Sequence, residues 1–451
     1  MKFFISITLL SVLLTSCSSE IKKNKTAINS NIKTELEVTN LGRQLSLNTN
    51  SDNLSETFLH LVSNEKSGIN FINKVKETNS RNYKSYLSYY NGGGVSIGDI
   101  NNDGLPDIYF AGNDSKDKIY LNTGNFTFKD ITESSGISKE NYGWSFGVNM
   151  VDINADGFLD IYVCKAGPNT ENKYLRNRLF INNGDGTFNE EAEKYGISSS
   201  DYSVQSAFFD YDLDGDLDLY LANHPKNIND KQNKRLDIMA SEIKKGILLT
   251  DKFYENVDGN YVEKTKKAKL FNFGYKNSVG IGDFNNDKYP DIYVCTDFGE
   301  PDLFFINNGD KTFTNNIEQN FNHITYNSMG NEINDVNNDG YLDIYMTDMT
   351  PSDHIKSKVN MASMDSKKFN AFVNVGFHHQ YMLNTYQLNN GDANFSEIGQ
   401  LAGVDKTDWS WAPLFIDFDL DGNKDLFITN GIKENLNDND IRVKLTKEEQ
   451  K

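Results

Sequence analysis

Along the chain, short β-branched and aromatic runs recur, each broken by a polar, Asp- and Asn-rich stretch. Gly94-Val-Ser-Ile-Gly98 precedes one such stretch and Ile108-Tyr-Phe110 follows it. The same frame returns as Val279-Gly-Ile-Gly282, and as Ile161-Tyr-Val163, Leu219-Tyr-Leu221 and Ile344-Tyr-Met346. Runs of this length and composition are strands rather than helices. Each is trailed by a second pair: Ile119-Tyr-Leu-Asn-Thr-Gly124 into Phe126-Thr-Phe128, Leu179-Phe-Ile-Asn-Asn-Gly184 into Thr187-Phe188, and Leu303-Phe-Phe-Ile-Asn-Asn-Gly309 into Thr312-Phe313. One unit therefore reads strand, acidic loop, strand, connection, strand, glycine turn, strand. Four antiparallel strands per roughly 50 residues predict an all-β fold, a β-propeller of four-stranded blades.

The acidic loop is a nonapeptide that occurs six times, starting at Asp99, Asp152, Asp210, Asp283, Asp335 and Asp417, at intervals of 53, 58, 73, 52 and 82 residues. Its pattern is D-x-[DN]-x-D-[GK]-x-x-D. Positions 1, 3, 5 and 9 are Asp99, Asn101, Asp103 and Asp107 in the first loop, and Asp152, Asn154, Asp156 and Asp160 in the second. They are Asp210, Asp212, Asp214 and Asp218 in the third, and Asp283, Asn285, Asp287 and Asp291 in the fourth. The fifth supplies Asp335, Asn337, Asp339 and Asp343, and the sixth Asp417, Asp419, Asp421 and Asp425. Oxygen ligands at this spacing, with a backbone carbonyl at position 7, suit a hard cation of 6–8 oxygen ligands, Ca²⁺ before Mg²⁺. Position 6 is Gly, which permits the sharp turn, except at Lys288, where the weakest site is expected. The bidentate Glu of an EF-hand is missing, and the strand flanks are wrong for one. A metal-free Asx-rich turn is the competing reading.

Composition narrows the class. The 451 residues carry 64 acidic and 45 basic side chains, a formal charge of −19, so nucleic acid is an unsuitable partner. The 29 Phe and 23 Tyr exclude a disordered chain. Three Cys exclude a disulfide scaffold. Cys164 and Cys295 sit in the same phrase, Asp-Ile-Tyr-Val-Cys, in different repeats and are expected as buried free thiols.

The N-terminus reads as an address. Lys2 and the apolar run Phe3–Leu14 are too short to span a bilayer and read as a signal-peptide core. Leu14-Thr15-Ser16-Cys17 resembles a bacterial lipobox, which makes Cys17 the expected lipidation site over residues 1–17; an ordinary secretory signal is the alternative. Residues 18–53 are a polar tether, and 54–451 the propeller. The implied location is the envelope of a Gram-negative bacterium, at the outer membrane or cell surface, with the membrane touched only through the lipid.

The loops, the Asn-x-Gly hairpin and the Phe that follows it resemble FG-GAP/VCBS repeats, as in integrin α-subunit propellers. Gly376-Phe-His-His-Gln-Tyr-Met382 and Asp408-Trp-Ser-Trp-Ala-Pro-Leu414 are similar to the group of bacterial VCBS-repeat proteins related to ASPIC/UnbV and cartilage acidic protein. The resemblance implies seven blades. With six loops present, an incomplete seven-bladed ring is expected, with a closed six-bladed ring as the alternative. Thr57-Phe-Leu-His-Leu-Val62…Ser67-Gly-Ile69 echoes Thr127-Phe-Lys-Asp-Ile-Thr132…Ser135-Gly-Ile137 and reads as an outer strand supplied from the N-terminal end.

Two connections between second and third strands are inflated. Residues 223–252 include a charged helical stretch near Lys231–Lys245, and residues 348–383 carry His378 and His379. Both decorate the rim opposite the acidic loops, where long loops on a rigid scaffold bind ligands. Aromatics placed 8–10 residues before each loop (Tyr90, Tyr142, Trp144, Tyr202, Tyr275, Tyr326 and Trp409) start the first strands on that rim, with Trp411 close by. Sugar stacking and channel packing both explain them; His378-His379 is either a metal pair or packing. No nucleophile motif, phosphate loop or zinc signature is present. The reading is a binding or adhesion module for glycan or cell-surface protein; the alternative is a propeller-type lyase or hydrolase acting on extracellular glycans.

Overall fold

A computed structural model describes residues 60–431, apart from 84, 141, 169–170, 226–235, 247–249 and 360–365. The leader, Cys17, the tether and residues 57–59 of the N-terminal echo lie outside the described residues. The described residues all belong to the compact unit Ser51–Lys451.

Five sheets have four antiparallel strands in chain order, as the spacing of the runs predicts. Their strands are Val95–Gly98, Asp107–Phe110, Lys118–Asn122 and Phe128–Asp130 in blade 1; Trp144–Val151, Asp160–Ala166, Arg178–Asn182 and Phe188–Glu190 in blade 2; and Ser203–Phe209, Asp218–Asn223, Lys252–Val257 and Asn260–Glu263 in blade 3. Blade 4 has Tyr275–Gly282, Asp291–Asp297, Leu303–Asn307 and Phe313–Asn315, and blade 5 has Asn331–Asn334, Asp343–Met346, Thr385–Asn389 and Phe395–Glu397. A sixth sheet shows two strands among the described residues, Ser410–Ile416 and Asp425–Asn430. Residues 60–62, the described end of the N-terminal echo, form no strand. Ser67-Gly68 nevertheless matches Ser135-Gly136. A Cβ on Gly68 would sit 2.6 Å from the Phe128 carbonyl of blade 1, as one on Gly136 would sit 3.3 Å from that of Phe188 in blade 2.

The second strands are the buried centres. Asp160–Ala166, Asp218–Asn223 and Asp291–Asp297 are buried at every position. Strands shielded on both faces carry continuous apolar runs rather than alternation, which is why Ile-Tyr-Val recurs. Cores form between blades: Ile119, Ile161, Val163 and Phe180 belong to one cluster, and Tyr162, Leu179, Leu219 and Tyr254 to the next. Cys164 and Cys295 are buried and free, and burial pushes both thiols up to about 12.

First strands of successive blades touch backbone to backbone. A Cβ on Gly147 would stand 2.6 Å from the Val204 carbonyl, so no larger residue fits there.

Every complete blade repeats one polar latch. The Tyr of its second strand meets an Asp or Asn immediately ahead of the third. Tyr109 donates to Asp117 (2.9 Å), Tyr220 to Asp251 (2.8 Å) and Tyr293 to Asp302 (2.8 Å). Asn177 and Asn384 instead donate to Tyr162 and Tyr345, each at 3.0 Å. The remaining oxygen of each Asp, and the amide oxygen of each Asn, accepts the backbone N–H that closes the second strand, from Gly112, Lys165, Asn223, Thr296 and Asp348. Buried polar groups need such partners.

Candidate functional sites

All six acidic loops share one hydrogen-bonded scaffold. The carboxylate at position 1 accepts the N–H of position 5 on one oxygen, at 3.0–3.1 Å. Its other oxygen accepts the N–H of position 6, at 2.7–3.0 Å. Position 4 lies in the left-handed region in every loop, with φ between 57° and 60°. Position 5 (Asp103, Asp156, Asp214, Asp287, Asp339 and Asp421) accepts the N–H of position 7. Where position 3 is Asn (Asn101, Asn154, Asn285, Asn337), its amide donates to position 5.

Position 9 ties the loop to its blade. One oxygen accepts the N–H of position 2 in all six loops. In the five complete blades the other accepts the N–H of an Asn at or next to the end of the third strand (Asn122, Asn182, Asn256, Asn307 or Asn389), at 2.7–2.9 Å. Burial, reinforced by the neighbouring carboxylates, raises these groups: Asp218 to about 8, Asp291 to about 7, Asp160 and Asp343 to about 6, and Asp107 upward. The loops therefore gather negative charge against desolvation, the arrangement a cation relieves.

Where position 3 is Asp, carboxylates converge. Asp210, Asp212 and Asp218 each bring an oxygen within 4.8 Å of the others, as do Asp417, Asp419 and Asp425. Position 5 stays outside both groups. In the third loop, Asp212 Oδ1 and Asp216 Oδ1 are enclosed without a hydrogen-bond donor. Asp212 Oδ2 pairs with Lys311 from blade 4, whose ammonium also meets Glu255 at 2.9 Å. An all-oxygen donor set with enclosed, donor-less carboxylate oxygens fits a hard divalent cation. Lys288, at position 6 of the fourth loop, holds φ 80°.

The opposite rim is built by the two insertions, which meet over blade 4. Ala240, on helix Leu236–Lys244 of the first, shares an apolar cluster with Phe372, on helix Ser366–Asn374 of the second, and with Phe273 and Phe377. The second insertion returns by pairing Gln380–Tyr381 in parallel with Ile324–Thr325.

The aromatics at the first-strand starts divide. Trp144 is 1% exposed and packs against Tyr89 and Tyr86, and Tyr275 is buried against His224 and Phe298. Tyr202 is half-buried against the same central cluster. These three are held by packing, with the stretch Tyr86–Tyr90 filling the space between first strands. Tyr326 lies half-buried under Lys368, whose ammonium stands 5.4 Å from its ring centre. Trp409 and Trp411 are half-buried, and Trp411 Nε1 donates to the Gly431 carbonyl at 2.5 Å.

His378 is buried and His379 exposed, so the adjacent pair is divided between core and surface. Among the described residues, neither belongs to a convergent group of three ligands. His379 instead joins a reachable aromatic patch: Phe369 lies 5.9 Å from its ring and 5.5 Å from that of Tyr381, which stands 5.1 Å from His323. Phe369 and Tyr381 sit on the second insertion and His323 just before Ile324–Thr325, all outside the repeat frame, so no periodic signal marks them. The dipeptide Gln380-Tyr381 directly after the His pair was the available signal.

Residues 84–163, 167–221 and 283–346 match the family model described as FG-GAP-like repeat. The chain carries FG-GAP-like repeats. Cartilage acidic protein 1 of Xenopus tropicalis is 32% identical over 143 residues, which span 30% of this chain and 20% of that protein. Among solved structures, the V. cholerae biofilm matrix protein Bap1 aligns with a TM-score of 0.32 and 14% identity, over 57% of this chain and 34% of that one. The matched repeats contain five of the six acidic loops; the sixth, from Asp417, lies beyond them and has the same scaffold.

Proposed function

We propose that this protein is a calcium-stabilised extracellular binding module, tethered through Cys17 to the envelope of a Gram-negative bacterium, that recognises glycan or protein through its insertion rim. The observation that carries the calcium reading is the scaffold common to all six loops, in which amide donors hold carboxylates together without neutralising them. Six Ca²⁺ would bring twelve positive charges to a chain of formal charge −19. FG-GAP-like repeats, and a relative named for cartilage, support an extracellular setting.

Support for the rim comes from topology and exposure. In an up-and-down blade the first and third connections share one end and the second connection lies at the other. The acidic loops and the tight glycine turns occupy the first end, and both insertions the second. The patch Phe369, His379 and Tyr381 offers rings to a ligand, whereas Trp144 and Tyr275 are enclosed. Stacking of sugar or apolar side chains on such rings is the chemistry expected.

The test has two arms. A glycan array and a cell-surface protein extract are probed with the parent chain and with Tyr381→Ala, scoring both retention and turnover. Loss of binding by a variant of unchanged melting temperature supports the rim; undiminished binding refutes it. Melting in excess EGTA tests calcium, since a ligand bound only by the native state stabilises it, and an unchanged midpoint refutes that part.

A further inference from the structure

The acidic loops are wired to one another. At position 4 of the first loop, Asn102 Nδ2 donates to the Gly157 carbonyl of the second loop at 2.9 Å. Asn286 of the fourth loop reaches Gly340 of the fifth at 3.4 Å, and Asn338 of the fifth reaches Gly422 of the sixth at 3.2 Å. The acceptor is position 6 of the neighbouring loop in each case. The N–H of the same peptide group, on position 7, donates to the carboxylate of position 5: Phe158 to Asp156, Tyr341 to Asp339, and Asn423 to Asp421, at 2.8–2.9 Å.

From this geometry we infer that Asn102, Asn286 and Asn338 are positioning residues for the cation site of the next blade, so that loops 1 and 2, and loops 4, 5 and 6, bind calcium cooperatively. The inference rests on the calcium reading above. Each Asn lies between two candidate ligands of its own loop, Asn101 and Asp103 in the first case. Ordering that loop around an ion fixes the left-handed Asn backbone, with φ 58° at Asn102, and with it the direction of the amide. The amide then fixes the peptide plane that aims the position 5 carboxylate next door. Position 4 is Ala155 in the second loop and Leu213 in the third, which have no side-chain donor, so the wiring is interrupted between loops 2 and 4. Coupling through two discrete hydrogen bonds is a physical route between sites, and it is reciprocal.

The test is a double-mutant cycle on the full chain, read by calorimetric calcium titration. Leu stands at this position in loops 3 and 6 with φ 60° and 57°, so Asn102→Leu keeps the loop conformation and removes only the amide. The parent chain is titrated first; absence of calcium uptake there overturns the calcium reading and this inference with it. Given uptake, Asn102→Leu should leave the number of ions unchanged and weaken binding about five-fold at one site, the scale of one neutral hydrogen bond. In an Asp156→Ala background, where the second loop is disabled, Asn102→Leu should have no further effect. An equal loss in both backgrounds places the effect within loop 1 and overturns the inference while the calcium reading stands; no loss in the parent background does the same. Asn338→Leu with Asp421→Ala repeats the cycle on loops 5 and 6, and melting midpoints in excess calcium confirm that each variant is folded.

Discussion

Asn182 reaches out of its own blade: its side-chain amide, at the end of the third strand of blade 2, donates 2.8 Å to the backbone carbonyl of Ile100 in the acidic loop of blade 1. The same amide donates to the Leu159 carbonyl, and its oxygen accepts the Gly184 N–H of the Asn-Asn-Gly turn. Asn307 grips Tyr211, and Asn389 grips Phe284, in the same manner at 2.8 and 2.9 Å. The Asn of the Asn-x-Gly turn thus closes its own hairpin and clamps the neighbouring loop.

Asn182→Ala should therefore destabilise the fold by about 2–4 kcal/mol, because it leaves buried backbone carbonyls without donors. Asn183→Ala, one residue on and exposed, should cost under about 1 kcal/mol. Urea denaturation of both variants checks the difference, and equal losses would remove the clamp from the account.

Tyr220→Phe deletes one hydroxyl, donated at 2.8 Å to the buried Asp251. A loss of about 1–3 kcal/mol is expected, since the carboxylate then loses a donor it cannot replace from solvent. A variant as stable as the parent would show that the latch is geometric and carries no energy.

Lys288→Gly should stabilise the protein by about 1 kcal/mol. Lys288 is held at φ 80°, where a Cβ is strained, while Gly takes the same position in the other five loops at φ 84–97°. Thermal melting in excess calcium reads this directly; a lower midpoint would mean that the Lys side chain itself stabilises the loop.

Lys311→Met tests competition in the third loop. The Lys311 ammonium pairs with Asp212 and Glu255, and these hydrogen bonds raise its pKa. Removing that charge should tighten calcium binding at this loop several-fold at low salt and less at high salt, since the ammonium repels a cation held by the same carboxylate. Weaker calcium binding by the variant would contradict this.

Stability should fall as pH rises from about 5 to 8 in constant excess calcium. Burial raises Asp348 to about 7, and Asp251 and Asp302 to about 6, above the ordinary carboxylate value. Across that window the folded state binds more protons than the unfolded chain, so raising the pH withdraws stability, the reverse of a salt-bridged carboxylate. The melting midpoint should be higher at pH 6 than at pH 8, and Asp348→Asn should shrink the difference. A midpoint that climbs with pH would contradict the sign.

What the sequence determined by itself is what repeats in it. Short β-branched and aromatic runs flanking an Asx-rich loop specify strand, loop and strand locally, so the four-stranded blades and the six loops were legible residue by residue, down to the left-handed demand around position 6. Buried Cys164 and Cys295 followed from their place in a repeated strand. The tertiary structure decided what depends on neighbours in space. Whether Trp144 and Tyr275 face solvent turns on Tyr86, Tyr89 and His224, which arrive from distant parts of the chain to cover them. The packing of Ala240 with Phe372 joins insertions more than a hundred residues apart, and neither carries a periodic signal naming its partner. The clamps of Asn182 and Asn102 depend on one blade being set beside the next, and in the sequence both are ordinary turn asparagines. A hydrogen bond within a repeat recurs with the repeat; a bond between repeats exists only once their cores have packed.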